Sequence, residues 1–271
     1  MSLFRFKQFS IKNEASAMKV NTDGVLLGTA VSLEGPVRRV LDVGTGTGTI
    51  ALILAQRLQE AHPDGAWQIL GIDIDAPSAR EAAENFAASP WSSHLRSEHL
   101  SLSALEQLIQ SGASGPDSFP VPGVFDLIVS NPPYFESSLQ NPDAREAAAR
   151  HAATADNAFP DAPLSFRTLL DFAQRYLSPI GRLALILPSD RETDLLRHAR
   201  MRELYPERIT SVKTVLRKPP SRIIAEFSPR RTAALPGVAP GLTAKKEIVI
   251  REDNDFSTEY RQLVKDFYLW G

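Results

Sequence analysis

The chain contains no cysteine among its 271 residues. A disulfide scaffold, a zinc–thiolate site, an iron–sulfur cluster and a cysteine nucleophile are therefore excluded. It has no apolar run of the ~18 residues that suggest a membrane span. The start, Met1-Ser2-Leu3-Phe4-Arg5-Phe6-Lys7, lacks the apolar core of a secretory signal. A cytoplasmic protein with no membrane partner is the expectation, and a monomer is the default. Histidine is scarce: His62, His94, His99, His151 and His198 are not grouped as metal ligands, so no metal is expected. There is no G-x-S-x-G elbow of a serine hydrolase. Nor is there a charge excess: 30 basic and 32 acidic residues leave a net charge of −2. A chain that coats nucleic acid without selectivity would usually be strongly basic. What charge asymmetry exists is local. From Arg182 to Arg231, 12 Lys/Arg face 6 Asp/Glu. Such a stretch either solvates a surface or forms a one-sided patch that meets phosphates.

What is present is a regular alternation. Val37–Val43, Trp67–Asp73, His94–Leu100, Val124–Ser130, Arg182–Leu187, Ile209–Leu216 and Ile223–Phe227 read as strands. Between them, Thr49–Glu60, Pro77–Ser89, Leu102–Ile109, Leu164–Leu177 and Asp190–Leu204 read as helices, with apolar residues at 3–4 spacing. Ser178-Pro179-Ile180-Gly181 reads as a turn. Strands alternating with helices of this length predict an α/β protein with a parallel sheet. The expected organisation is an N-terminal extension, residues 1–36, and one large domain, 37–271. That domain carries a polar, Ala-rich insertion near 136–163 and ends in a helix whose Phe256, Tyr260, Val264 and Phe267 dock it on the sheet.

The first strand runs into Asp42-Val43-Gly44-Thr45-Gly46-Thr47-Gly48-Thr49. A nicotinamide fingerprint needs a third glycine at 49, where threonine stands, and no lysine follows to make a P-loop. The pattern is an acid followed by G-x-G-x-G. Its glycines let a ligand lie against the main chain. The acid can meet a cationic amino group, directly or through water. These features suit S-adenosylmethionine, which carries an ammonium and a sulfonium. The second strand ends at Asp73, about where an acid accepts both ribose hydroxyls in nucleotide-binding sheets.

The fourth strand runs into Asn131-Pro132-Pro133-Tyr134. Open α/β sheets bind ligands at this carboxyl edge. The two prolines stiffen the backbone and remove two donors. They leave the Pro132 carbonyl beside the Asn131 side-chain carbonyl. Two fixed acceptors can hold both hydrogens of a planar exocyclic amine and orient its nitrogen toward an electrophilic methyl. Tyr134 offers a flat face to stack on a base.

These motifs resemble the class I S-adenosylmethionine-dependent amino-methyltransferases, with a Rossmann-like, mostly parallel seven-stranded sheet and helices on both faces. Phe4-Arg5-Phe6-Lys7-Gln8-Phe9, Met18 to Gly28 (MKVNTDGVLLG), Ser89-Pro90-Trp91 and Phe267-Tyr268-Leu269-Trp270 are more specific. They resemble the bacterial tRNA (adenine-37-N6)-methyltransferase family that modifies valine tRNA, over about residues 4–270. The resemblance implies that Asp42, Gly44, Gly46 and Gly48 form the cofactor loop and that Asp73 meets the ribose. It puts Thr22 and Asp23 near the cofactor's amino-acid end, and the target adenine against Asn131, Pro132, Pro133 and Tyr134. Two residues depart from the family's pattern. Asn21 replaces glycine, which would alter that turn. Ser101 replaces the aspartate beside the cofactor's adenine, where its hydroxyl can accept the same hydrogen bond.

The implied partner is tRNA, with its target base splayed out of the stack. Lys213, Arg217, Lys218 and Arg222, with Arg230 and Arg231, are the candidate grip on the anticodon stem. Arg145, Arg150 and His151 in the insertion either touch tRNA or are solvated. The same Asn-Pro-Pro-Tyr chemistry also serves enzymes that methylate a guanine N2 amine of ribosomal RNA or a release-factor glutamine amide. The segment before the glycine loop is too short for the helical domain usual in the glutamine enzymes. A non-catalytic module that binds the cofactor or RNA is the reading of a different class. It predicts binding without turnover.

Overall fold

The structure is a computed structural model that describes residues 2–112, 123–133, 164–229 and 243–270. Strands β1 (Leu3–Arg5) and β2 (Ser10–Lys12) pair antiparallel, and helix α1 (Thr22–Ala30) follows. Next come β3 (Arg39–Val43), α2 (Thr49–Ala61), β4 (Gln68–Asp73), α3 (Ala76–Ala87), β5 (Leu95–His99), α4 (Leu102–Ser111) and β6 (Phe125–Ser130). After α5 (Phe166–Tyr176) come β7 (Leu177–Pro188), α6 (Glu192–Arg200), β8 (Tyr205–Val215), β9 (Arg222–Ser228), β10 (Ala244–Glu252), β11 (Asp255–Phe256) and α7 (Thr258–Val264). Among the described residues no helix is long and apolar enough to cross a membrane.

The large sheet has the order β11-β10-β8-β9-β7-β6-β3-β4-β5. Strands β5, β4, β3, β6 and β7 are parallel, and β9 runs antiparallel between β7 and β8. All seven expected strands are present. The sheet then continues past β8, because β10 pairs parallel to it from Ala244↔Arg208 to Arg251↔Val215. Only Ile248–Ile250 of β10 reads as apolar. Its first half, Ala-Lys-Lys-Glu, is the polar sequence of a strand near a sheet edge, where lysines discourage further pairing. Ser178–Gly181 is a bulge in β7 rather than a turn before it. Leu177 pairs with Phe125 and Arg182 with Leu127. A Cβ on Gly181 would lie 2.8 Å from the Phe125 carbonyl, so the bulge needs glycine there.

Alternation along each strand sends side chains to two faces. Val40, Leu127, Val129 and Ile186 join α1, α2, α3 and α7 in one core. Leu41, Val43, Ile128 and Leu185 join α4, α5 and α6 in the other. Helix α2 departs from its expected single apolar face and is buried nearly all round. One side that the expected face leaves out, around Ile53, is covered by α1. The approach is close enough that a Cβ on Gly28 would sit 2.9 Å from Ile53 Cγ2.

Strand β3 pairs with β4 on one side and β6 on the other. Chain order runs outward on both sides of the β3–β6 pair, to β4 and β5 on one side and to β7 on the other. At such a switch point an open α/β sheet has its crevice, at the carboxyl ends of the strands. Asp42, Asp73 and Asn131 all arrive at this crevice.

Candidate cofactor and substrate site

Asp42 lies one residue before the end of β3, on the face covered by α2, and is fully buried. Its Oδ2 accepts the Thr45 hydroxyl at 2.8 Å. Among the described residues its Oδ1 has no hydrogen-bond partner. Burial pushes the Asp42 carboxyl up to about 7, against hydrogen bonding from the Thr45 hydroxyl and the Ala51 main chain and with a smaller addition of repulsion from Asp73.

The loop that follows crosses the end of β4. The Gly44 and Thr45 N–H groups donate to the Ile72 carbonyl at 2.9 and 3.0 Å. The Gly46 N–H donates to Asp73 Oδ2 at 2.9 Å. Gly44, Gly46 and Gly48 all have positive φ, at 71°, 57° and 81°. Gly48 opens α2 as its N-cap, and a Cβ there would lie 2.4 Å from Phe86 Cε1. The glycines are thus dictated by backbone conformation and by the Phe86 ring.

Asp73 closes β4. Its other oxygen, Oδ1, accepts the Asp75 N–H at 2.9 Å, and burial raises its carboxyl above the usual range. Each oxygen keeps one lone pair for a further donor. Asp75 caps α3, accepting Ser78 N–H and Oγ–H at 3.0 and 2.6 Å. Ser101 follows β5, is buried, and caps α4 by accepting the Ala104 N–H at 3.1 Å. Its hydroxyl therefore has a structural task beside the crevice.

The Ser130 hydroxyl donates to the Val43 carbonyl at 2.7 Å and ties the end of β6 to the end of β3. Asn131 follows and is buried, and its amide nitrogen donates to Met18 Sδ at 3.7 Å. Pro132 is buried and Pro133 half-buried. Tyr134 lies outside the described residues, as do the insertion with Arg145, Arg150 and His151, and Arg230 and Arg231.

Thr22 and Asp23 form the first turn of α1, next to the first turn of α2. A Cβ on Gly24 would sit 3.6 Å from Ile50 Cγ1. Asn21 does not disturb this turn. Its φ of −139° is extended, and its side chain caps α1 by accepting the Gly24 N–H at 2.8 Å. The Asp23 carboxylate meets Arg222 Nε at 2.9 Å. Lys213 meets Glu247 at 3.1 Å. Arg217 and Lys218 are exposed in the β8–β9 turn, and no ion pair among the described residues involves either. The four expected tRNA contacts thus divide into two paired cations and two exposed ones, all toward the crevice edge of the sheet.

Three residues at the site were not foreseen. Glu81 on α3 accepts the N–H groups of Glu14, Ala15 and Ser16 at 2.7, 2.8 and 2.8 Å. Asn85, one turn on, takes the Lys12 N–H at 2.7 Å and donates to the carbonyls of Lys12 and Thr47 at 3.0 and 2.9 Å. Met18 is the third. The available signal was a glutamate and an asparagine at i, i+4 on the alanine- and phenylalanine-bearing face of α3.

A family model described as a methyltransferase domain matches residues 36–229. The chain is 40% identical to the tRNA1(Val) (adenine(37)-N6)-methyltransferase of Porphyromonas gingivalis, over 98% of this chain and 94% of that protein. It is 39% identical to the enzyme of that name from Parabacteroides distasonis, over 98% and 97%. The chain belongs to this family. The relative of the same name in Tolumonas auensis is 34% identical, over 98% and 96%. Among solved structures, a predicted O-methyltransferase of Agrobacterium tumefaciens superposes with a TM-score of 0.57 at 13% identity, covering 90% of this chain and 96% of that one. A SAM-dependent methyltransferase of the same organism gives a TM-score of 0.52 at 14% identity, covering 84% and 70%. At such identities these two show the fold that family members share, with its parallel sheet and flanking helices.

Proposed function

We propose that this chain methylates the exocyclic N6 amine of adenine 37 in the anticodon loop of a valine tRNA, with S-adenosylmethionine as the methyl donor. The observation that carries the reading is the meeting of Asn131 and Pro132 with the glycine loop at one crevice, in a chain of this family. Residues 1–36 and 37–271 work as one unit in this reading, and the substrate places the protein in the cytoplasm.

The residues fit the donor. Asp42 keeps an unpartnered buried oxygen, suited to the ammonium end, and the three glycines leave the main chain open. Asp73 has lone pairs for ribose hydroxyls, and Thr22, Asp23 and Ser101 border the same crevice. When bound, S-adenosylmethionine supplies an electrophilic methyl. Asn131 and Pro132 do the rest by orientation: their carbonyl oxygens accept the two N–H groups of the amine and aim its lone pair. With the Asn131 amide nitrogen on the Met18 sulfur, the carbonyl oxygen is the acceptor this side chain has to offer. Pro133 holds the turn, and Tyr134 stacks on the base. No strong base is required, because the nitrogen sheds its proton after it has become cationic. A valine tRNA transcript is methylated in this reading, and the same transcript with guanine at position 37 is not. Equal labelling of both would refute the assignment. Ribosomal RNA and release factors are then the acceptors to assay.

The Asp42 carboxyl near 7 sets a pH dependence. A cationic ligand favours the ionised form. S-adenosylmethionine affinity therefore rises with pH from about 6 and levels above about 8, by at most about tenfold per pH unit. Asp42→Asn flattens the profile, and calorimetry across this range checks it. The raised value acts oppositely on folding. The folded state keeps a proton that the unfolded state loses, so this residue's contribution to stability declines as pH rises from about 4 to about 7.

The exposed pair Arg217 and Lys218 grips the tRNA backbone, flanked by Lys213 and Arg222. Arg217→Glu with Lys218→Glu weakens tRNA binding about tenfold or more near 0.1 M salt. It lowers the slope of log affinity against log salt by up to about 2. Cofactor affinity is unchanged, because the glycine loop is held by other groups, the Ile72 carbonyl and the Asp73 carboxylate. Filter binding at several salt concentrations tests this, and an unaltered tRNA affinity would remove the pair from the interface.

A further inference from the structure

Residues 12–18 form a strap beside the glycine loop, and α3 fastens both. Three successive main-chain N–H groups, of Glu14, Ala15 and Ser16, converge on the Glu81 carboxylate, which is only 2% exposed. Three such donors form an anion nest, and a carboxylate accepting them makes charge-assisted hydrogen bonds. Asn85 grips Lys12 through both of its main-chain groups and binds the Thr47 carbonyl inside the glycine loop. The Ser78 hydroxyl adds a bond to Ser16 Oγ at 3.0 Å. Strap and loop are thus held in one frame. At its far end, the strap's Met18 carbonyl would lie 3.6 Å from a Cβ on Gly46, and its sulfur receives the Asn131 amide at 3.7 Å.

We propose that Glu81 is a positioning residue for methyl transfer. By fastening residues 14–16 it holds Met18 against both Gly46 and Asn131, so that cofactor cradle and amine-orienting amide form one unit. The effect on Asn131 rests on the methyl-transfer reading above. The effect on cofactor binding does not.

The test compares Glu81→Ala, Glu81→Gln and Met18→Ala with the wild type, all well below their unfolding midpoints. Three quantities are measured: amide hydrogen exchange over residues 14–18 without ligand, S-adenosylmethionine Kd by calorimetry, and kcat with valine tRNA. In Glu81→Ala, exchange over 14–18 accelerates about 100-fold as the strap opens locally. Kd weakens about tenfold because a smaller fraction of molecules holds the competent strap. The kcat falls about as much. Glu81→Gln keeps an acceptor for two of the three amides and recovers part of each loss. Met18→Ala leaves exchange over 14–16 and Kd near wild type, yet lowers kcat severalfold. Faster exchange in Glu81→Ala with wild-type Kd and kcat would overturn the proposal, leaving Glu81 a structural pin. If Glu81→Ala does not fold, Glu81→Gln and Met18→Ala decide, and wild-type Kd and kcat in both would equally overturn it. If wild-type protein leaves tRNA unlabelled, the acceptor assignment fails, while Kd and exchange still decide the role of the strap.

Discussion

Asn131→Ala lowers methyl transfer to tRNA by about 10²–10³-fold and leaves S-adenosylmethionine affinity within about threefold. The magnitude is that of removing one preorganised polar group aimed at a reacting atom. Without the side-chain carbonyl, only the Pro132 carbonyl holds the amine, and the lone pair is no longer aimed. The cofactor contacts are spared because the glycine loop is built by other groups, the Ile72 carbonyl and the Asp73 carboxylate. Asn131 touches the strap at the Met18 sulfur. Single-turnover kinetics with saturating tRNA, beside calorimetry for the cofactor, separates the two effects. Turnover within a few-fold of wild type would remove Asn131 from the chemistry.

Gly48→Ala has the largest expected effect on folding. Two costs add. A φ of 81° costs a residue with a Cβ about 1–2 kcal/mol. The new Cβ would also stand 2.4 Å from the Phe86 ring, which is 2% exposed and has little room to yield. Forcing a methyl into a filled core costs about 1–3 kcal/mol more. The sum, about 2–5 kcal/mol, lowers the unfolding midpoint by roughly 5–15 °C in a chain of this size. Cofactor binding weakens as well, since Phe86 shifts against the loop or the loop opens. Gly35→Ala is the control. Its φ is 88°, but nothing lies within 4 Å of the added Cβ, so it bears the conformational cost alone. Thermal unfolding of both variants, with and without cofactor, separates the steric term. Equal midpoints would contradict the packing argument.

The parts of the site legible in the sequence are those encoded locally. Asp42 and the glycines announce a strand-to-helix turn that a side chain would obstruct, and Asn131-Pro132-Pro133 announces a rigid pair of acceptors after a strand. Neighbouring parallel strands bring these pieces together once the β-α alternation is read. What escaped notice depends on residues far apart in the chain. Glu81 looks like an ordinary helix glutamate until residues 14–16 fold over it. Arg222 reads as a free cation until β9 sets it opposite Asp23, 2.9 Å away. The outer face of α2 is apolar because α1 covers it, and that contact carries no periodic signal of its own. By its place in the family pattern, Ser101 reads as a ligand to the cofactor. Its backbone context makes it the cap of α4 as well.

The central claim is tested most directly with total tRNA from a strain lacking this protein. The purified chain is incubated with that tRNA and labelled S-adenosylmethionine, and the nucleosides are then identified by mass spectrometry. The account predicts new N6-methyladenosine in the anticodon-loop fragment of a valine tRNA. Unlabelled tRNA, from a preparation that still binds the cofactor, would contradict it.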